Sequence, residues 1–142
     1  MNKDDLSSFK HIKHIPLRYD DLDTMGHVNN KAYLAFLEEA RIDFHQKVFG
    51  LSDMMKFSMV VAKIEINYMR PVLYGDILYA YSKLNKLGNT SFEILTWFVI
   101  KKNETEYIKV SDANVVLVNI NTKTGKSVPI DETEKEKLMA YK

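Results

Sequence analysis

The 142-residue sequence has no cysteine, few glycines and prolines, and almost no excess of charge of either sign. Without cysteine the protein can form neither disulfides nor thiolate metal sites, and it has no thiolate nucleophile; this composition is typical of a reducing compartment. Twenty basic and nineteen acidic side chains leave a net charge of +1, so no whole-molecule field would attract nucleic acid or an anionic membrane. The scarcity of glycine and proline argues against a disordered chain.

The sequence also lacks long apolar runs and the common nucleotide and hydrolase motifs. Its first 17 residues, MNKDDLSSFKHIKHIPL, contain two aspartates and no continuous apolar stretch, so we expect neither a signal peptide nor a membrane span, and a cytoplasmic location. There is no glycine-rich phosphate loop, no His-Glu-x-x-His and no Gly-x-Ser-x-Gly. The length predicts a single domain over residues 1–142, with residues 1–10 frayed and residues 131–142 forming a short helix or tail.

One long helix is predicted over residues 31–49, which contain neither glycine nor proline and are followed by Gly50. Apolar residues recur in it at spacings of three and four, which indicates a face buried against the rest of the protein. Two further apolar residues, Leu34 and Ile42, widen this sector. The predicted buried stripe is Tyr33, Phe36 or Leu37, Ala40, Phe44 and Val48.

Five strands are predicted around this helix, the first near residues 11–19 and four more at about 57–69, 75–88, 91–102 and 106–120. In the second strand, alternation places Ala62, Ile64, Ile66 and Tyr68 on one buried face. The run SFEILTWFVIK is apolar on both faces, so we expect a second cover over Trp97, such as a subunit contact. The fold class is therefore α+β: a long central helix wrapped by a curved five-stranded antiparallel sheet.

The stretch YDDLDTMGHVNN, residues 19–30, concentrates polar groups just before the apolar helix. It can be interpreted as a turn with a helix cap, because Asp and Asn favour both. Asp20, Asp21, Asp23 and His27 also offer ligands for a divalent ion, but the aspartates follow no recognised loop pattern, so no metal is predicted. A third interpretation is catalysis, since amides at a helix start can polarise a carbonyl beside a carboxylate.

Three sequence blocks resemble the 4-hydroxybenzoyl-CoA thioesterase-like family. The first is DLDTMGHVNN with Tyr33 and Glu-Glu-Ala-Arg at residues 38–41; the second is INYMRPVLYGD, residues 66–76; the third is LGNTSF, residues 87–92. The resemblance implies a hotdog fold, homodimers or tetramers with the active site at the subunit interface, and hydrolysis of acyl-CoA to free acid and CoA, with no cofactor. The alternatives are an acyl-carrier-protein thioesterase and a non-catalytic acyl-thioester binding module.

The resemblance also assigns roles to individual residues. It makes Asp23 the catalytic carboxylate, as general base or nucleophile, although a loop hydrogen-bond acceptor is its simpler role. Amides of residues 26–30, including Gly26 and Val28, would polarise the thioester carbonyl, while His27 acts in catalysis or shapes the pocket. Unlike the plant acyl-carrier-protein enzymes, the chain has Met25 in place of an asparagine, which favours the simpler Asp-centred mechanism. The predicted substrate-binding residues are Asn29 and Asn30 as loop and cap organisers, Tyr33, Glu38 as a brace for the loop, Arg70, and the turn residues Gly88, Asn89, Thr90 and Ser91.

Overall fold

A computed structural model describes residues 1–50 and 58–142. Among these residues five strands form one antiparallel sheet in the order β1-β3-β4-β5-β2, accompanied by a long helix and a short one. Two 3-10 turns, Lys3–Leu6 and Tyr19–Asp21, flank the first strand. The elements are β1 His11–Ile15, α1 Asn30–Phe49, β2 Met59–Tyr68, β3 Leu78–Leu87, β4 Ser91–Lys101, β5 Tyr107–Asn119 and α2 Glu132–Met139. This architecture confirms the predicted α+β class.

The helix α1 begins and ends where its capping residues require. The Asn29 side chain accepts a hydrogen bond from the Lys31 amide at 3.0 Å, which satisfies one of the free amides of the first turn. At the other end Gly50 adopts a left-handed conformation with φ +68° and closes the last turn through a 2.8 Å bond to Gln46 O. The predicted helix is confirmed to within one residue.

The predicted apolar stripe of α1 packs against the inner face of the sheet. Tyr33, for example, meets Phe98 of β4 edge-to-face, with ring centroids 5.5 Å apart. The wider apolar sector is only partly supported, because Leu34 is 53% exposed whereas Ile42 is partly buried. The buried helix residues in this core are Ala32, Tyr33, Phe36, Leu37, Ala40, Phe44 and Val48.

Two buried histidines also hold α1 in place. His11 of β1 shares a 2.7 Å hydrogen bond with Asp43 of α1, and burial nevertheless lowers the pKa of the histidine. Burial lowers the pKa of His45 to about 3, with the charge of Arg41 adding to the effect. Both side chains are therefore neutral at pH 7 and belong to the core rather than to a site that exchanges protons.

The prediction for β2 was wrong in one respect. Among the residues of its expected buried face, Ile66 is partly covered, whereas Ala62, Ile64 and Tyr68 are exposed. The physical reason is position: β2 lies at the edge of the sheet, pairs with β5 alone among the described strands, and lies away from the part of the sheet that α1 mainly covers, β1 and β3. Period-two alternation marks a strand with two faces, but it does not say whether the strand has a neighbour on both sides.

The N-terminal segment, residues 1–9, corrects two expectations at once. Instead of being frayed it forms a 3-10 turn, and Leu6 and Phe9 are 2% and 4% exposed. The Phe9 ring lies 4.9 Å from Trp97 and 6.1 Å from Tyr81, on the outer face of the sheet. The second apolar face of β4 is thus covered by the chain itself, where the sequence suggested a subunit contact.

This cover should contribute measurably to stability. We predict that Phe9→Ala lowers the free energy of unfolding by about 3 kcal/mol, because it removes a buried ring from a packed cluster. Urea denaturation followed by the fluorescence of Trp97, the single tryptophan, measures the change directly. Tyr74→Ala is the matched control, since that ring is 63% exposed. Equal urea midpoints for Phe9→Ala and the wild type would show that the segment does not stabilise the sheet.

Candidate active site

The polar stretch before α1 folds into a small hairpin closed around Asp23. One carboxylate oxygen of Asp23 accepts the Met25 amide at 2.8 Å and the His27 amide at 3.1 Å. The backbone of the same residue donates to His27 O at 2.8 Å and accepts from the Gly26 amide at 3.1 Å. Gly26 has φ +75°, a conformation that side chains disfavour, so glycine is suited to this turn. The carboxylate is oriented by the loop while remaining exposed.

Neighbouring residues anchor this hairpin at both ends. The carboxylate of Asp21, only 3% exposed, accepts the backbone amide of Arg18 at 2.8 Å and its guanidinium at 3.2 Å. The carbonyl of Asp21 accepts the Asn29 amide at 2.6 Å, and the Val28 amide donates to Val72 O at 2.7 Å. The loop therefore has little freedom, which suits a site that must hold a carboxylate in one place.

The same hydrogen bonds decide which backbone amides remain available to a ligand. The amides of Gly26, His27, Val28 and Asn29 all donate within the protein. The Asn30 amide, at the first position of α1, has no acceptor among residues 1–50 and 58–142. The N–H groups of Gly26 and Val28 already support the loop, so among the predicted amides of residues 26–30 that of Asn30 is the one available to a ligand.

Asp23 and Asn30 line one hollow of about 280 Å³, formed where the loop meets the end of β2. We call it the Asp23 hollow. Asp23 also borders a second hollow of about 660 Å³, whose other lining residues include Tyr19, Leu22 and Thr24. Asp23 is therefore accessible from two hollows. The Asp23 hollow is lined by Asp23, His27, Val28, Asn30, Tyr33, Tyr68, Met69, Arg70 and Pro71.

Two tyrosines form the aromatic wall of the Asp23 hollow. The rings of Tyr33 and Tyr68 meet edge-to-face at 5.1 Å, and the Tyr68 hydroxyl approaches Asn30 O at 3.5 Å. Burial, with a smaller contribution from Tyr68, raises the pKa of Tyr33 to about 12. Its phenol therefore stays protonated at neutral pH and presents a neutral hydrogen-bond donor.

The structure brings together only some of the residues proposed from the sequence. The Asp23 hollow contains six of them: Asp23, His27, Val28, Asn30, Tyr33 and Arg70. Gly26 and Asn29 border the second hollow, and Asn29 also caps α1.

Glu38 and the turn at residues 88–91 lie apart from this group. Glu38 borders a separate hollow with Pro16, Arg18 and Phe36, and it forms no hydrogen bond or ion pair with the loop in the described part of the chain, so its role as a brace stays a prediction. In the turn, Gly88 donates to Ser91 O at 2.8 Å, and the Thr90 carbonyl accepts from Asn119 at 2.8 Å. The side chain of Asn89 lies 3.5 Å from Lys135 of α2. This turn does not line the Asp23 hollow.

Tyr68, Met69 and Pro71 line the hollow but were not selected from the sequence. A signal was present for Tyr68, because it ends the alternating apolar face of β2 and directly precedes the turn that holds Arg70.

Within the described ranges no cluster of three or more His, Asp or Glu side chains could hold a metal ion. None of the described helices combines the length and apolarity needed to cross a membrane.

Known proteins resemble this chain along most of its length. Residues 17–138 match the model of the thioesterase-like superfamily. The chain is 36% identical over 126 residues to the long-chain acyl-CoA thioesterase FadM of Escherichia coli, covering 87% of this chain and 93% of that protein.

Solved structures show the same fold. A thioesterase from Thermus thermophilus, complexed with coenzyme A and Zn, superposes with a TM-score of 0.80 at 29% identity, covering 94% and 95% of the two chains. A 4-hydroxybenzoyl-CoA thioesterase complexed with 4-hydroxybenzoyl-CoA superposes with a TM-score of 0.79 at 13% identity, covering 89% and 96%. The second likeness concerns the fold alone and agrees with the expected hotdog arrangement. From its match over residues 17–138, the chain belongs to the thioesterase-like superfamily.

Proposed function

We propose that the protein is an acyl-CoA thioesterase that hydrolyses its substrate to a free acid and CoA. Asp23 is the catalytic carboxylate, and the Asn30 amide donates a hydrogen bond to the thioester carbonyl oxygen. One observation carries this proposal: Asp23 and Asn30 line the same hollow, and within the described ranges the Asn30 amide is the one of residues 26–30 that has no acceptor. The named activity of the FadM relative supports the substrate class.

The hydrogen bonds of Asp23 suit it to act as a base. Its Oδ1 is occupied by the amides of Met25 and His27, whereas Oδ2 accepts no hydrogen bond from the described residues. Oδ2 can therefore take a proton from water as that water attacks the carbonyl carbon. The carbonyl oxygen gains negative charge, and the Asn30 amide, at the positive end of the α1 dipole, stabilises it.

Breakdown of the tetrahedral intermediate then breaks the carbon–sulfur bond. The CoA thiolate leaves and takes up a proton, the acid is released, and water has supplied the hydroxyl group. Direct attack by Oδ2 on the carbonyl carbon is the other route open to Asp23; it forms an anhydride that water then hydrolyses. His27 and the protonated phenol of Tyr33 border the hollow and supply polar contacts to the thioester.

We also propose that the enzyme is a homodimer in which the β2 edges of two copies pair. Among the described strands β2 has β5 as its single partner, so its other edge offers unpaired backbone groups. This strand also exposes apolar side chains to solvent, which is energetically unfavourable along an unpaired edge. They are Val60, Val61 and Ile64, which are 37% to 44% exposed. Such pairing would place the end of β2, and with it the Asp23 hollow, close to the second copy.

The dimer can be tested by light scattering after size exclusion. We predict a mass of twice 16.5 kDa for the wild type, and a shift toward 16.5 kDa for Ile64→Lys, because a charge at the paired edge opposes association. Ile12→Lys is the matched control: Ile12 is similarly exposed on β1, at the opposite edge of the sheet. Equal masses for the two variants would rule out pairing through β2.

Catalysis by Asp23 is tested with Asp23→Asn. We expect kcat/KM for acyl-CoA, measured by a thiol-reactive dye, to fall by at least about 100-fold, the usual contribution of a general base. The amide oxygen can still accept the Met25 and His27 amides, so the circular dichroism spectrum and melting temperature should remain close to those of the wild type. Asp20→Asn, an exposed neighbour, is the control. Turnover by Asp23→Asn at the wild-type rate would contradict the mechanism, and acyl-CoA binding without thiol release by the wild type would indicate a binding module.

A further inference from the structure

Arg70 connects the Asp23 hollow with another hollow on the outer face of the sheet. This outer hollow, of about 520 Å³, is lined by Met1, Arg70, Trp97, Tyr107, Ile108 and Lys109. The N-terminal segment forms one of its walls, because Met1 and Tyr107 exchange backbone hydrogen bonds of 3.0 and 2.8 Å. A ligand held at Asp23 can therefore continue past Arg70 onto the outer face.

Lys109 is held in this outer hollow by its neighbours. Its ammonium lies 4.1 Å from the centroid of the Trp97 ring and 2.8 Å from Asp112 Oδ2. Asp112 is itself fixed by the Asn67 side chain, which donates to Oδ1 at 2.8 Å. An ammonium has three donors, and one of them serves Asp112. The other two N–H donors remain for a ligand. The Trp97 ring and the Asp112 carboxylate already hold the ammonium in position.

Arg70 adds a second positive charge, which, unlike that of Lys109, has no carboxylate partner among the described residues. Its backbone amide donates to Val110 O at 3.1 Å, but its guanidinium forms no hydrogen bond or ion pair with the described residues. A guanidinium carries five donors in a planar fork that suits phosphate oxygens. Arg70 and Lys109 thus offer two cations beside an indole ring, a combination suited to a phosphorylated ligand.

The turn at residues 88–91 offers less for such a ligand. It contains neither lysine nor arginine, and the nearby Lys135 is within 3.5 Å of both Glu132 and Asn89. It also lies outside the Asp23 hollow, whereas Arg70 borders both hollows. The cations that a ligand bound at Asp23 can reach through a shared lining residue are therefore on the outer face.

We propose that the outer hollow binds the phosphate groups of CoA through Arg70 and Lys109, while the thioester occupies the Asp23 hollow. The inference rests on the proposed function and adds the place where the phosphate groups of CoA bind. The neutral pantetheine arm passes Arg70, and the phosphates lie against the two cations, where their charge is balanced.

The test compares substrates that differ only in the phosphorylated nucleotide. Acyl-CoA and acyl-pantetheine with the same acyl group are hydrolysed by the wild type and by Lys109→Gln, Arg70→Gln and the control Lys123→Gln, an exposed lysine outside both hollows. Loss of one charged contact should raise the ratio of KM for acyl-CoA to KM for acyl-pantetheine by about tenfold in Lys109→Gln. Arg70→Gln should raise the same ratio, and Lys123→Gln should leave it at the wild-type value.

A binding measurement separates this inference from the proposed function. Desulfo-CoA should change the fluorescence of Trp97 in the wild type, with a dissociation constant that rises by about tenfold in Lys109→Gln and with added salt. If the wild type hydrolyses neither substrate but shows these changes, the proposed function fails and the phosphate site stands. If hydrolysis proceeds and neither variant alters the KM ratio or desulfo-CoA affinity, the phosphate site is wrong while the thioesterase proposal stands.

Discussion

The hydrogen bonds of the loop before α1 determine which of its groups can act on a ligand. A backbone amide that already donates to the protein cannot stabilise a developing charge unless its bond opens first, which costs about 1 kcal/mol or more. The hairpin around Asp23 uses the amides of residues 26–29 to fix its own shape. The Asn30 amide remains, and it lies at the positive end of a 20-residue helix. The backbone N–H groups of residues 26–30 thus have two roles: most of them hold the loop rigid, and one is left to bind the ligand.

The rest of the fold holds the loop and the start of α1 in position. The sheet covers the apolar stripe of α1, so the start of the helix is held against the end of β2 and the Val72 carbonyl. The N-terminal segment covers the opposite face of the sheet and shapes the outer hollow beside Arg70. One side of the sheet therefore supports the helix start, and the other carries the cations proposed for the carrier's phosphates.

Local sequence patterns predicted the helix, the five strands and the position of the polar loop. A helix with capping residues and an apolar stripe is encoded within its own residues, so the sequence indicated Gly50 as the C-terminal cap and narrowed the N-terminal cap to Asn29 or Asn30, of which Asn29 has this role. What failed depended on distant contacts: the burial of Phe9 against Trp97 and the edge position of β2. The engagement of the Val28 amide by Val72 is of the same kind, because the two residues are 44 positions apart. Tyr68 was within reach of the sequence, but its role required knowing that β2 ends beside Tyr33.

The central claim, that the Asn30 amide polarises the thioester, is tested most directly by removing that one hydrogen. Proline is well tolerated at the first position of a helix, and Asn29, with φ −69° and ψ 142°, already has the conformation that precedes proline. Asn30→Pro therefore deletes the donor with little disturbance of α1, while Asn30→Ala deletes the side chain and keeps the donor. We expect kcat to fall by about 100-fold in Asn30→Pro and to stay within about threefold of the wild type in Asn30→Ala. Equal kcat values for the two variants, both folded, would contradict the account.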